Sequence, residues 1–314
     1  MLYLSEVKLD KDRERPVAAK SALFAATLIW GSSFVIVKDV TNVWSPGFLL
    51  AARFTVAFAL LCLIFYKKLK TVNKDYLLSG SIIGVLLFLA YYTQTVGITD
   101  TTPGKNAFLS AGYCVLVPFL FWLVNKTRPG VYNLVAAALC ITGIGLVSLT
   151  EHFTIGFGDA LTLVCSLFFA LHIVFVAKLA RDKDPWLIAT LQFGAAAVCS
   201  WLVVAAEGGF PADFSLPVLG GVLYLSIFCT AVALSLQNFG QKYTNPSAAA
   251  LVLCLEAVFG VIFSVVFYHE ALTAKIVAGF VLILVSIIVS ELGSAFMPMA
   301  RRRAERNKTP QDGI

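Results

Sequence analysis

Ten apolar runs of about 20 residues, parted by short polar gaps, fill almost the whole chain. They cover 21–38, 46–66, 76–97, 106–124, 132–149, 158–177, 186–206, 217–238, 247–267 and 273–292. A helix of that length rises about 30 Å, the thickness of a bilayer's hydrocarbon core. The runs lack the polar face that a surface helix of a soluble protein shows at its 3.6-residue period. Charged residues are 13% of the chain, against about 25% in an average soluble protein, and they crowd the ends and the gaps. The expected fold class is therefore an all-α polytopic membrane protein with ten transmembrane helices. The gaps leave no room for a soluble domain.

The first fifteen residues, with Lys8, Asp10, Lys11, Asp12, Arg13, Glu14 and Arg15, are too charged for the apolar core of a signal peptide. The first run is expected to stay in the mature chain. All seven cysteines (Cys62, Cys114, Cys140, Cys165, Cys199, Cys229, Cys254) sit in apolar runs without a CxxC pair, so small core residues are expected rather than a disulfide or metal set.

Charge sets the orientation. With the N-terminus inside, the inner gaps and both tails carry twenty Lys and Arg, including Lys67, Lys68, Lys178, Lys183, Lys242 and Arg301 to Arg303. The outer gaps carry only Lys38, Lys105 and Lys275, and Arg53 lies within a run. The positive-inside rule then predicts both termini in the cytoplasm and a cytoplasmic or inner membrane location. The net charge of +6 is mostly this signal, and no folded basic surface suggests nucleic acid as a partner.

The chain also repeats itself. QTVGITDTTPGKNA from Gln94 and QNFGQKYTNPSAAA from Gln237 share Gln94/Gln237, Gly97/Gly240, Thr101/Thr244, Pro103/Pro246 and Ala107/Ala250, all 143 apart. PGFLLAARF from Pro46 resembles PWLIATLQF from Pro185 at an offset of 139, which sets Arg53 opposite Gln192, Trp30 opposite Phe169 and Ser33 opposite His172. The expected organisation is a tail at 1–20, a five-helix unit at 21–150, a second at 151–293 and a basic tail at 294–314. Five crossings return the chain on the far side, so the second unit is expected inverted. In this reading glycine ends a helix, proline opens the next, and Ala107, Ala111 and Ala248 to Ala250 let helices approach closely. Gly80 and Gly84 form a further packing motif. Inverted repeats of this kind recur in alternating-access carriers, with substrate held near the midplane.

The stretches LIWGSSFVIVK (Leu28 to Lys38), RF (Arg53, Phe54), QTVGITDTTPGKNAFLSAGYCVLVP (Gln94 to Pro118), FFALHIV (Phe168 to Val174) and LCLEAVFGVIFSVVFYHE (Leu253 to Glu270) resemble the ten-helix EamA-type carriers of the drug/metabolite transporter superfamily. The likeness spans nearly the whole chain. The last stretch departs from the family's pattern with Ala257 in place of proline and His269 in place of glycine. The resemblance implies export or exchange of a small metabolite, often an amino acid or an amphipathic compound, without ATP. No GxxxxGK[ST] phosphate loop is present, in agreement with that.

Polar residues within the runs are the candidate site. Glu256 falls about ten residues into its run, near the midplane, where a carboxylate costs ~2.5–3.5 kcal/mol on insertion scales. A proton that binds and leaves there would couple transport to the proton gradient, while a paired acid tying helices together is the plainer alternative. Arg53 would anchor its helix, pair with an acid such as Glu256 or meet an anionic substrate group. His172 would pack or carry a proton. Trp30, Phe34, Tyr91, Tyr92, Phe108, Tyr113, Phe168, Phe169 and Tyr224 are candidate walls; Ser33, Gln94, Asn106, Gln237 and Asn238 are candidate polar contacts for a small molecule. No cofactor or metal is implied. A membrane enzyme would need convergent catalytic groups, and His152, His172 and His269 do not cluster in sequence. A selective channel or a non-transporting sensor stands as the rival.

Overall fold

A computed structural model describes residues 2–125, 129–148, 155–180, 182–208, 210–244, 249, 252–253 and 255–289, with the side chains of 2–16, 125 and 148 left aside. Pro246, Ala248, Ala250, Cys254, His152 and the basic tail fall outside these residues. The described residues form α1 (Leu2–Thr41), α2 (Pro46–Leu69), α3 (Lys74–Thr99), α4 (Pro103–Ala111), α5 (Tyr113–Asn125), α6 (Val131–Ser148), α7 (Phe157–Leu179), α8 (Pro185–Glu207), α9 (Leu216–Tyr224), a π-helical turn (Leu225–Val232), α10 (Ala233–Tyr243), α11 (Leu255–Tyr268) and α12 (Ala274–Val289). Seven stretches among them are long and apolar enough to cross a membrane, with α4–α5 and α9–α10 each counting as one, and α6, α11 and α12 are shorter apolar helices. Ten apolar helical stretches thus stand where the sequence places ten runs. Helix α1 reaches back to Leu2, beyond the run that begins at 21.

Side chains such as Leu63, Leu123, Ile141, Leu202 and Phe267 are exposed on the outside of the bundle. Helices satisfy their own backbone, so an apolar rim of this kind suits a lipid solvent. Inside, α3 packs on α7 and α8, α2 on α8, and α1 on α10 and α11. The two sequence units therefore interleave rather than stand side by side.

Local chemistry explains four helix starts. Ser45, Asn73, Thr102 and Asp184 cap α2, α3, α4 and α8, each accepting a backbone N–H from the first turn. Pro103 opens α4, as the sequence predicts. Gly97 does not end its helix: α3 runs on to Thr99, and a Cβ at Gly97 would stand 2.7 Å from Thr162 Oγ1 of α7. It is a contact residue. The Gly80 and Gly84 motif is also a contact, since a Cβ at Gly84 would meet the Gln192 carbonyl of α8 at 2.5 Å. Pro118 lies inside α5 and cannot donate to the preceding turn, and the span breaks six residues before it, at Gly112, between α4 and α5.

The two ends of the bundle are tied differently. At one end Lys38 Nζ donates to the carbonyls of Ile98, Thr99 and Thr101 at 2.8–3.0 Å. Nearby, Lys105 pairs with buried Asp159 at 3.0 Å, and Thr101 donates to the same carboxylate. Glu270 accepts from Thr102 Oγ1, the Gly104 amide and Ser264, which caps α4 from α11's end. Tyr268 donates to Asp39 at 2.6 Å. At the other end Lys68 pairs with Asp184 at 2.6 Å, Lys183 with Asp75 at 2.8 Å, and Lys242 donates to the Lys183 carbonyl at 3.0 Å. The turn after Gln94 thus lies at the Lys38 end, and Tyr243 and Thr244 at the Lys242 end.

Candidate functional site

A small pocket lies at the centre of the bundle, where α1, α3, α5, α7, α10 and α11 meet. Thirteen residues line it, and twelve of them form six pairs separated by the repeat offsets. Trp30/Phe169, Ser33/His172 and Phe34/Ile173 stand 139 apart; Tyr91/Leu234, Gln94/Gln237 and Tyr113/Glu256 stand 143 apart. Leu87 is the thirteenth. Only the glutamine pair is chemically the same on both sides.

The polar groups differ in how firmly they are held. Ser33 donates to the Trp30 carbonyl of its own helix at 2.7 Å. His172 Nε2 faces Gln192 Oε1 at 3.0 Å. Gln94 Nε2 donates to Ser110 at 3.0 Å, whereas Gln237, 5% exposed, has an Oε1 with no partner among the described residues. The Tyr113 hydroxyl hydrogen-bonds Glu256, so these two repeat counterparts touch each other. Glu256 is 8% exposed, and no ion pair among the described residues involves it. A carboxyl without a cation, ringed by Trp30, Phe34, Tyr91, Tyr113 and Phe169, can hold a proton or meet a positive group in an aromatic setting. The free space among these side chains is about 30 Å3, room for about one water. Any larger ligand requires the helices to part.

Arg53 sits behind this wall. Its guanidinium lies 4.6 Å from the centre of the Tyr91 ring, its Nε donates to Thr230 Oγ1, and its NH2 group reaches the Cys229 carbonyl at 3.4 Å. It makes no ion pair with Glu256. Trp30 Nε1 donates to the same Cys229 carbonyl at 2.8 Å. A π-helical turn disturbs the i to i−4 ladder, and two donors from α1 and α2 meet the carbonyl it presents.

The other sequence candidates lie elsewhere. Phe108 stacks on Phe280 at 4.2 Å in a second core. Asn106 is fully buried and ties α4 to α3 and α7 through the Gln94 carbonyl and Thr162. Tyr92 stacks on Phe88 and donates to Glu207 at 3.3 Å. Tyr224 bonds Ser32 at 2.7 Å. Asn238 lines a separate, larger cavity of about 540 Å3 with Lys178 and Lys242 at its rim, which shares Ile173 with the central pocket. Apolar Leu87, Ile173 and Leu234 were not singled out in the sequence. The offsets alone would have found two of them, Ile173 as the counterpart of Phe34 and Leu234 as that of Tyr91.

Known proteins resemble this chain along most of its length. It is 35% identical over 276 residues to an uncharacterized transporter of Archaeoglobus fulgidus, covering 87% of this chain and 86% of that one. It is 26% identical to the uncharacterized transporter YvbV of Bacillus subtilis, covering 85% and 90%. A solved crystal structure with 18% identity shares the fold at a TM-score of 0.66, over 91% of this chain and 98% of that one. The EamA-like transporter family profile matches twice, at residues 19–149 and 156–292, and the chain belongs to that family of membrane transporters.

Proposed function

We propose that this protein is a secondary transporter that moves a small amphipathic metabolite, such as an amino acid, out of the cytoplasm by alternating access. The observation that carries this reading is the make-up of the central pocket. Six pairs of repeat counterparts enclose one space. Two units of opposite orientation that exchange shapes would keep such a site in place while opening it first to one side and then to the other. In this reading the units are 21–150 and 151–293, and both termini are cytoplasmic.

The two ends of the bundle fit one step of that cycle. Lys38, Asp159 and Glu270 tie the end assigned to the outside, while the 540 Å3 cavity lies toward the end assigned to the cytoplasm. In this reading the carrier is closed outward, with its cytoplasmic vestibule formed and its central site contracted. Glu256 is the one carboxyl in the pocket lining and is assigned the proton that couples transport.

Counterflow in proteoliposomes tests the reading, with a panel of amino acids and amphipathic amines and acids, with and without a pH gradient. Saturable exchange of at least one class is expected. Glu256→Gln is expected to fold, to keep exchange at equal pH and to lose acceleration by the gradient. Proton dependence unchanged in the variant would remove Glu256 from the coupling role. Unitary currents in planar bilayers would replace the carrier with a channel.

A further inference from the structure

One face of α10 carries Gln237, Asn238 and Gln241, at spacings that stack along a helix, and Thr244 follows at its C-terminal end. Gln237 lines the central pocket, and the other three line the vestibule that meets it at Ile173. Asn238 is 4% exposed, and neither its amide nitrogen nor its amide oxygen has a hydrogen-bond partner among the described residues. Gln241 Oε1 and Thr244 Oγ1 are buried and have no partner among the described residues either. Buried polar atoms normally find partners, and a run of unpaired ones on residues that line a cavity marks a place where something else could supply the bonds. The opposite walls, with Val176, Ile188 and Leu253, are apolar. Among the described lining residues stand two cations, Lys178 and Lys242, and no acid. Lys242 donates one proton to the Lys183 carbonyl, which holds it at the rim and leaves two N–H groups for another acceptor.

We propose that this vestibule is a second binding subsite, for a small amphipathic carboxylate. The ammonium groups of Lys178 and Lys242 and the carboxamide of Asn238 take the carboxylate, and the apolar wall takes the hydrocarbon part. A volume of about 540 Å3 lies within the ~300–1,000 Å3 of small-molecule sites. The proposal rests on the transporter reading for its role, since the subsite is where a solute waits beside the contracted central pocket. Gln237 then hands the polar end from one space to the next.

Binding can be read without transport. Three probes that differ only in the head group, 4-phenylbutyrate, 4-phenylbutylamine and 4-phenylbutanol, are titrated calorimetrically into the purified full chain. Phenylbutyrate is expected to bind saturably and more tightly than the other two. Asn238→Leu and the double variant Lys178→Gln, Lys242→Gln are each expected to weaken it by about tenfold. Asn238→Asp, which keeps the side-chain shape, is expected to abolish binding by repulsion. Glu256→Gln is expected to leave phenylbutyrate affinity within about twofold, because that carboxyl lies in the other space. Equal affinity for all three head groups, or a loss with Glu256→Gln but not with the vestibule variants, would overturn the subsite. Phenylbutyrate binding with no counterflow of any solute would instead overturn the transport role and leave the subsite standing.

Discussion

The Cys229 carbonyl accepts from Trp30 of α1 and, at longer reach, from Arg53 of α2, while Arg53 Nε also holds Thr230. Arg53 is 1% exposed and makes no ion pair among the described residues. Its charge is offset by a ring face, a hydroxyl and a carbonyl. Arg53→Leu would leave Thr230 and part of the turn without their donor, and is expected to lower stability by about 1–3 kcal/mol. Arg53→Lys cannot reproduce the forked geometry and is expected to recover less than half of that loss. Thermal unfolding in detergent, followed by fluorescence, reads both. A larger loss for the lysine variant than for leucine would contradict this role. At this scale the sequence identified the residue but not its partners. Arg53 was visible as a lone cation in an apolar run, yet nothing in the sequence of Leu225–Val232 announced a π-helical turn to receive it. The pocket was more legible. Trp30, Ser33, Gln94, Tyr113, His172, Gln237 and Glu256 line it together, while Phe108, Asn106 and Tyr92 resemble them in composition and are used for packing. Polarity within a run shows that a side chain is constrained, not which neighbour constrains it.

Helix contacts depend on a few small positions. A Cβ at Gly84 would come within 2.5 Å of the Gln192 carbonyl and 2.7 Å of the Ala195 Cβ, both on α8. Backbone atoms there have little room to retreat. Gly84→Val is therefore expected to part α3 from α8 and to destabilise the protein by about 1–3 kcal/mol through overpacking; an unchanged unfolding temperature would count against the contact. Asp184 offers a test at a helix end. It caps α8 through the Trp186 amide at 2.9 Å and pairs with Lys68. Burial of this carboxyl opposes its charge, yet the hydrogen bonds from Lys68 and Trp186 outweigh burial and hold it below the usual carboxylate value. A carboxyl lowered in this way adds stability in full above its unfolded pKa, about 4, and loses it as pH falls through the folded value. Asp184→Ala is expected to cost about 1 kcal/mol at pH 7. The gap between variant and wild type should close as pH drops below about 4, and a gap constant from pH 7 to 3.5 would contradict the account. The start of α4 was readable because a proline at the first turn acts over three or four residues. Gly97 was misread because a glycine that makes room for another helix looks, in sequence, like one that ends its own.

Orientation belongs to the molecule as a whole. In a cysteine-free background, Asp100→Cys is expected to label from outside and Tyr243→Cys from the cytoplasm, with membrane-impermeant maleimide on intact cells and on inverted vesicles. Labelling of both from one compartment would remove the inverted arrangement and the alternating-access scheme with it. The ten apolar helical stretches could be read from hydropathy alone, because each run stands out from the polar gaps around it. The contacts of α2 with α8 and of α3 with α7 could not. They depend on how two homologous units fold around each other, and no periodicity within a single run encodes that.

The six pairs that enclose the pocket are unlike in five cases, serine against histidine and tyrosine against glutamate among them. A carrier made of two identical halves would rest with equal ease facing either compartment. In the proposed cycle the groups trade surroundings when the halves trade shapes, so the two resting forms would differ in free energy even in an unloaded protein with no gradient. On that proposal the preference for one side is built into the chain itself, and solute and proton would act on an equilibrium already tilted.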